Sequence, residues 1–119
     1  MKSVAVAVPD EMMEAVARRF RLLGEPARLR LLQMLETGEY TVNELADKMH
    51  GNQANISRHL SAMHEAGLLS RRPDGTSVYY SIADPTVFEL CELVCKSTRE
   101  QIRRRVGAMV PGALRNRRD

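Results

Sequence analysis

Apolar positions near the start of the chain recur at steps of three and four residues: Met12, Met13, Val16, Phe20 and Leu23. That spacing predicts an amphipathic helix from Asp10, a capping residue after Pro9, to about Leu23. Gly24 breaks it. Pro26 opens a second helix, since its missing N–H costs nothing in a first turn. Leu29, Leu31, Leu32 and Leu35 are its expected inward residues, and it ends near Gly38. The next signal is TVNE, Thr41 to Glu44, a capping box in which hydroxyl and carboxylate each satisfy the other's backbone N–H. A short helix follows, with Val42, Leu45, Ala46 and Met49 on one side. HGNQ, His50 to Gln53, is a turn, and NQANISRHLSAMHEAG, Asn52 to Gly67, is a fourth helical stretch.

After Gly67 the period changes from helical to alternating. LLSRRPDGTSVYYSI holds two short β-type runs around Pro73-Asp74-Gly75, a hairpin signal. A long helix begins after Asp84-Pro85, with Val87, Leu90, Cys91, Val94, Cys95, Ile102, Val106 and Met109 as its stripe; Pro111-Gly112 ends it. The expected fold is therefore mainly α with a small β-hairpin, in the order α-α-α-α-β-β-α. Two short helices joined by a tight turn and followed by a hairpin spell a winged helix-turn-helix. The expected organisation is a flexible arm over 1–9, a single winged-helix domain over 10–110, and a basic tail over 111–119.

Composition narrows the function. At 119 residues, 44% hydrophobic and 28% charged, the chain has the size and balance of one globular domain. No apolar run approaches the roughly 18 residues of a membrane span, and the start lacks a secretory pattern; a cytoplasmic protein with no membrane partner is expected. The net charge is +3, and 15 of the 18 basic residues are arginine. They cluster at Arg18, Arg19 and Arg21, at Arg71 and Arg72, at Arg103 to Arg105, and at Arg115, Arg117 and Arg118. Such clusters point to an anionic partner, while solvated surface arginines would account for charge alone. No nucleophile–base pair, glycine-rich phosphate loop or zinc signature is present, so the chain does not read as an enzyme.

LLGEPARLRLLQMLETGEYTVNELA and QANISRHLSAMHEAGLLSRRPDGTSVYYSI, roughly residues 22 to 82, resemble the ArsR/SmtB family of bacterial repressors. The Ser-Arg-His-Leu core, the Glu-Ala-Gly-Leu after it and the Gly-Thr-Ser-Val-Tyr-Tyr wing carry the likeness. The resemblance implies a homodimer built through its first and last helices. It implies two recognition helices in successive major grooves of a pseudo-palindromic double-stranded operator, and an inducer, often a metal or metalloid, that weakens DNA binding.

On a helical wheel at about 100° per residue, Ile56, Leu60 and Met63 share the core side of the fourth helix. Ala54, Arg58 and Ser61 point away, flanked by Asn55 and Ser57. Small residues let a helix sit deep in a groove; amides suit adenine and arginine suits guanine. Gln53 lies at the base-reading amino end, and Thr41 and Ser57 can bond phosphate. His59 falls at the border of the core side. The resemblance makes it a DNA contact, and a packed, half-buried histidine is the other reading. In the hairpin, Arg71, Arg72 and Thr76 can follow the minor groove or backbone. Tyr79 and Tyr80 alternate faces, one toward the core.

The resemblance also implies where an inducer would act. A Cys-x-Cys arsenic site in the third helix has no counterpart in ELADKM. A zinc site in the last helix would fall on Asp84, Thr86, Ser97 and Glu100, where both imidazoles are missing. Cys91 and Cys95 remain. They sit one helical turn apart on the stripe expected to face a second protomer. Soft thiolates suit arsenite or a soft metal ion. A thiol-redox switch, a ligand-independent regulator with cysteine as a small hydrophobe, and a winged helix used for protein–protein contact are the alternatives. His50, His59 and His64 are poorly spaced for joint metal binding.

Overall fold

The computed structural model describes residues 7–109. The expectations for the first six residues, for the basic tail with Arg115, Arg117 and Arg118, and for the Pro111-Gly112 stop fall outside them. The elements run α1 (Asp10–Leu23), α2 (Pro26–Leu35), β1 (Tyr40–Thr41), α3 (Val42–Met49), α4 (Gln53–Glu65), β2 (Leu69–Asp74), β3 (Ser77–Ile82) and α5 (Pro85–Met109). They form two compact units, Met1–Asp84 and Pro85–Asp119. The first is a winged helix-turn-helix; α5 belongs to the second.

In the first unit the core lies where α2, α3 and α4 meet the sheet. Leu31, Leu45, Leu60 and Met63 have no exposed surface, and Leu32, Leu35, Ile56, Leu68, Leu69 and Tyr80 are nearly as buried. Leu29 departs from expectation: it is 39% exposed. It stands more than about 100° round the helix from the centre of the Leu31, Leu32 and Leu35 arc. The apolar stripe of α1 is also uncovered, with Met12, Met13 and Phe20 each more than half exposed and only Leu23 buried.

The sheet has three strands in the order β1-β3-β2, all pairs antiparallel. The two-residue β1 is an addition to the expected order. It pairs Tyr40 with Tyr80 and Thr41 with Tyr79, and is too short to show an alternating pattern of its own. β2 lies on the sheet edge, which lets Pro73 sit opposite Val78 without losing a ladder bond inside the sheet. The hairpin turns at Gly75-Thr76; Gly75 has φ 65°, a conformation glycine adopts without steric cost.

Candidate nucleic-acid interface

The helix-turn-helix is set by local capping. Thr41 Oγ1 accepts from the Glu44 N–H at 3.1 Å and Glu44 accepts from the Thr41 N–H at 2.8 Å, so the capping box that starts α3 is complete. At its other end His50 adopts a left-handed conformation, φ 52°, and the Gly51 N–H reaches back to the Ala46 carbonyl at 3.0 Å. Asn52 then caps α4, its Oδ1 accepting from the Asn55 N–H at 2.9 Å. The exit of α4 is closed in the same manner: Leu68 N–H to Met63 carbonyl, with Gly67 at φ 83°. Both helices therefore have defined ends, and the turn between them is three residues long, His50 to Asn52.

Ile56, His59, Leu60 and Met63 are the buried positions of α4. Gln53, Ala54, Asn55, Arg58 and Ser61 are exposed, and Ser57 is half-buried. The outward face is thus the one the wheel describes. Its polar side chains are ordered by neighbours. Gln53 Nε2 donates to Asn43 Oδ1 of α3, and Arg58 donates to Asn55 Oδ1 one turn earlier. No acidic residue lies between Gln53 and His64, so nothing on this face repels phosphate.

His59 does not join that face. It is only 9% exposed and turns toward α2, where Arg28 Nε donates to its Nδ1 at 2.9 Å. Arg28 also donates to the Leu22 carbonyl at 3.0 Å. The ring is thus packed against α2 with its Nδ1 engaged by Arg28. The Thr41 oxygen is likewise engaged, by the α3 cap; its hydroxyl hydrogen is left to donate.

The wing presents two arginines in different states. Arg71 and Thr76 are exposed. Arg72 is clamped: Nε and Nη2 donate to the two Glu39 oxygens at 3.0 and 2.8 Å, and its guanidinium lies 4.8 Å over the Tyr79 ring. The bidentate hydrogen bond from Arg72 holds the Glu39 carboxyl below the usual carboxylate range, and Glu39 in turn raises Arg72. Tyr80 is the inward tyrosine, 4% exposed, with His64 edge-on to it at 6.5 Å.

A winged helix-turn-helix with an arginine-bearing, acid-free reader is general to many regulators, and relatives narrow it. A profile described as "Bacterial regulatory protein, arsR family" matches residues 25–71. A probable mercury resistance operon repressor from Streptomyces lividans is 39% identical over 100 residues, covering 78% of this chain and 80% of that protein.

The chain belongs to the arsR family.

Two solved structures place the arsR fold in the same terms. The homodimeric winged helix-turn-helix DNA-binding domain of Mb0332 from Mycobacterium bovis matches with a TM-score of 0.71 and 30% identity, over 83% of this chain and 92% of that one. The antimony-specific transcriptional repressor AntR matches with a TM-score of 0.73 and 25% identity, over 82% and 89%. The protein is accordingly an arsR-family DNA-binding transcriptional regulator, not an enzyme. No helix among the described residues is long and apolar enough to cross a membrane.

In this arsR-family chain the two cysteines are free thiols on α5, Cys91 half-buried and Cys95 exposed. Burial pushes the Cys91 thiol up, with Cys95 adding to the effect. No group of three or more His, Cys, Asp or Glu side chains is arranged to hold a metal ion among the described residues. Three residues with structural parts in the interface escaped the sequence reading: Asn43, Glu39 and Arg28, which hold Gln53, Arg72 and His59 respectively.

Proposed function

We propose that this regulator is a homodimeric repressor that reads a pseudo-palindromic operator with α4 and flanks it with the wing. The observation that carries the reading is the outward face of α4: Gln53, Ala54, Asn55, Arg58 and Ser61, exposed and without an acid among them. Arg58 is the side chain suited to guanine, and Arg71, Arg72 and Thr76 supply wing contacts to backbone or minor groove. Dimerisation is supported by apolar surface left bare on single elements. α1 exposes Met12, Met13 and Phe20, and α5 exposes Leu93, Val94 and Ile102. Faces of that kind mark protein contacts, and the Mb0332 domain is homodimeric. A fluorescent duplex pool, bound at several salt concentrations, tests the DNA reading. Affinity must fall steeply with salt, and Arg72→Ala must flatten the log–log slope by about 0.9 if Arg72 meets one phosphate. A salt-independent complex would favour a protein-contact role for the winged helix.

The inducer in this reading is arsenite or a soft metal ion bound through Cys91 and Cys95. The thiols are one turn apart on α5, and relatives are described by mercury resistance and antimony specificity. With only two thiols per chain, a three-thiolate site draws its third ligand from a second protomer. Because the Cys91 thiol is raised, binding must displace its proton and strengthens with pH. Arsenite must release the wild-type protein from DNA and leave Cys91→Ser/Cys95→Ser bound; release of both would end the thiol assignment.

A further inference from the structure

The arginine cluster at the end of α1 has no part in the reader or the wing. It converges with Arg28 on a groove of about 610 Å³ between α1, α2 and the carboxyl end of α4, lined by Arg18, Arg19, Arg21 and Arg28 with alanines and Leu22 between them. Glu65 is the one acid in the lining. Arg19 is 3.3 Å from Asp84, so part of its charge is met. Arg18 and Arg21 are exposed and make no ion pair among the described residues. Arg28 is the telling member. It is half-buried, yet its acceptors among the described residues are the Nδ1 of His59 and a backbone carbonyl, neither of them a carboxylate. A cation taken partly out of water without a counter-ion is costly. Even with Asp84 and Glu65 credited, the groove keeps an excess of positive charge, and guanidinium forks suit the paired oxygens of phosphate and carboxylate.

The groove lies at the carboxyl end of the reading helix: its wall there is Ala62 and Glu65 of α4 and Ala66 just after it, about 13 Å along the helix from Gln53 at 1.5 Å per residue and next to Ser61. Its volume accommodates a small molecule, and the Glu65 carboxylate would repel a continuous phosphate track.

We propose that this groove binds a small polyanion carrying phosphate or carboxylate groups, and that Arg28 transmits its occupancy to α4. Arg28 touches both partners: its free N–H groups remain for the anion while Nε holds His59, on the buried side of the reading helix. An anion that draws the guanidinium toward Arg18 and Arg21 alters the support behind α4. The site itself does not depend on the DNA reading above; anion binding is measured without DNA and duplex affinity separately, so each can fail alone.

The full chain is titrated with inorganic phosphate and, separately, with citrate, at constant ionic strength, by calorimetry; ¹⁵N resonances of the His59 ring are followed in parallel. The expected result is saturable binding of one or both, at least about tenfold weaker in Arg18→Gln/Arg21→Gln, with the His59 ring nitrogens shifting on saturation in the wild type. The phosphate and citrate arms tell a phosphorylated ligand from a polycarboxylate. Since Arg18 and Arg21 are exposed and make no ion pair among the described residues, the double variant is expected to keep its fold, checked by its circular dichroism. No saturable binding of either anion up to about 10 mM, a weak limit for any specific site, overturns the proposal. So does equal binding by the double variant, or a His59 ring that does not respond to a bound anion. Loss of duplex affinity in the double variant without any free-anion binding would reassign the cluster to the DNA backbone.

Discussion

The hydrogen bond from Arg28 to His59 joins α2 to the back of the reading helix, and its worth can be measured. The donor is a charged guanidinium, the acceptor a side chain with 9% of its surface exposed, and the distance is 2.9 Å. Hydrogen bonds to charged groups contribute about 1.5–3 kcal/mol net, and an orphaned buried donor costs about 1–3 kcal/mol. His59→Leu, which keeps apolar volume and removes the acceptor, should therefore destabilise the fold by about 2 kcal/mol. For a chain of this size that is a fall of roughly 8–10 °C in Tm at fixed protein concentration. A single variant mixes the lost bond with changes in packing, so the decisive measurement is a double-mutant cycle in urea with His59→Leu, Arg28→Met and both together. The bond from Arg28 to the Leu22 carbonyl is lost in both Arg28 arms and cancels. The expected coupling is about 1–2 kcal/mol, with the double variant scarcely worse than the worse single one. A coupling below about 0.5 kcal/mol, the noise of independent sites, would refute the bond as a structural element, and with it the route by which Arg28 acts on α4.

Other perturbations address the interface directly. Arg58→Ala should cost about 1–3 kcal/mol in operator binding and relax preference at one base position; unchanged affinity across a randomised duplex pool would remove Arg58 from the base contacts. The Glu39 carboxyl should titrate below its ordinary value of 4.5. Its contribution to the wing is then complete above the ordinary value and is lost only as pH falls through the lowered one. A ¹³C titration of the Glu39 carboxyl checks this, and Arg72→Ala should return it to the ordinary value. Because burial raises the Cys91 thiol while Cys95 is exposed, iodoacetamide should modify Cys95 first near pH 8, followed by mass spectrometry of the tryptic peptides. Equal rates, or a faster Cys91, would contradict the burial seen on α5.

The order of helices, the capping box and the hairpin were legible because each rests on local chemistry. Thr41 and Glu44 meet their own backbone within one turn, and Pro26 and Gly75 satisfy backbone demands that few other residues meet. β1 was not legible because two residues cannot alternate; its pairing with Tyr79 and Tyr80 depends on a strand nearly forty residues away. Leu29 was misplaced inward for a related reason. PARLRLLQML carries leucine on more than one side of α2, and only the position of α4 and the sheet decides which side is covered.

The same distinction explains the interface. Periodicity separates the two sides of α4, and it placed Ala54, Arg58 and Ser61 outward because Ile56, Leu60 and Met63 claim the other side. It cannot name a partner in another element. Asn43 meets Gln53 ten residues on, Arg28 meets His59 after 31, and Glu39 meets Arg72 after 33. Each pairing joins a residue with no marked local pattern to one the pattern singled out. His59 shows the consequence most clearly. On the wheel it lay at the border, where a groove contact and a packed ring are equally compatible with the spacing. In the structure a guanidinium supplied by α2 donates to Nδ1 and the ring is buried. How a border position on α4 is oriented thus depends on the hydrogen-bond partner that the rest of the fold brings to it, and the residues doing so here come from the helices and loops behind α4.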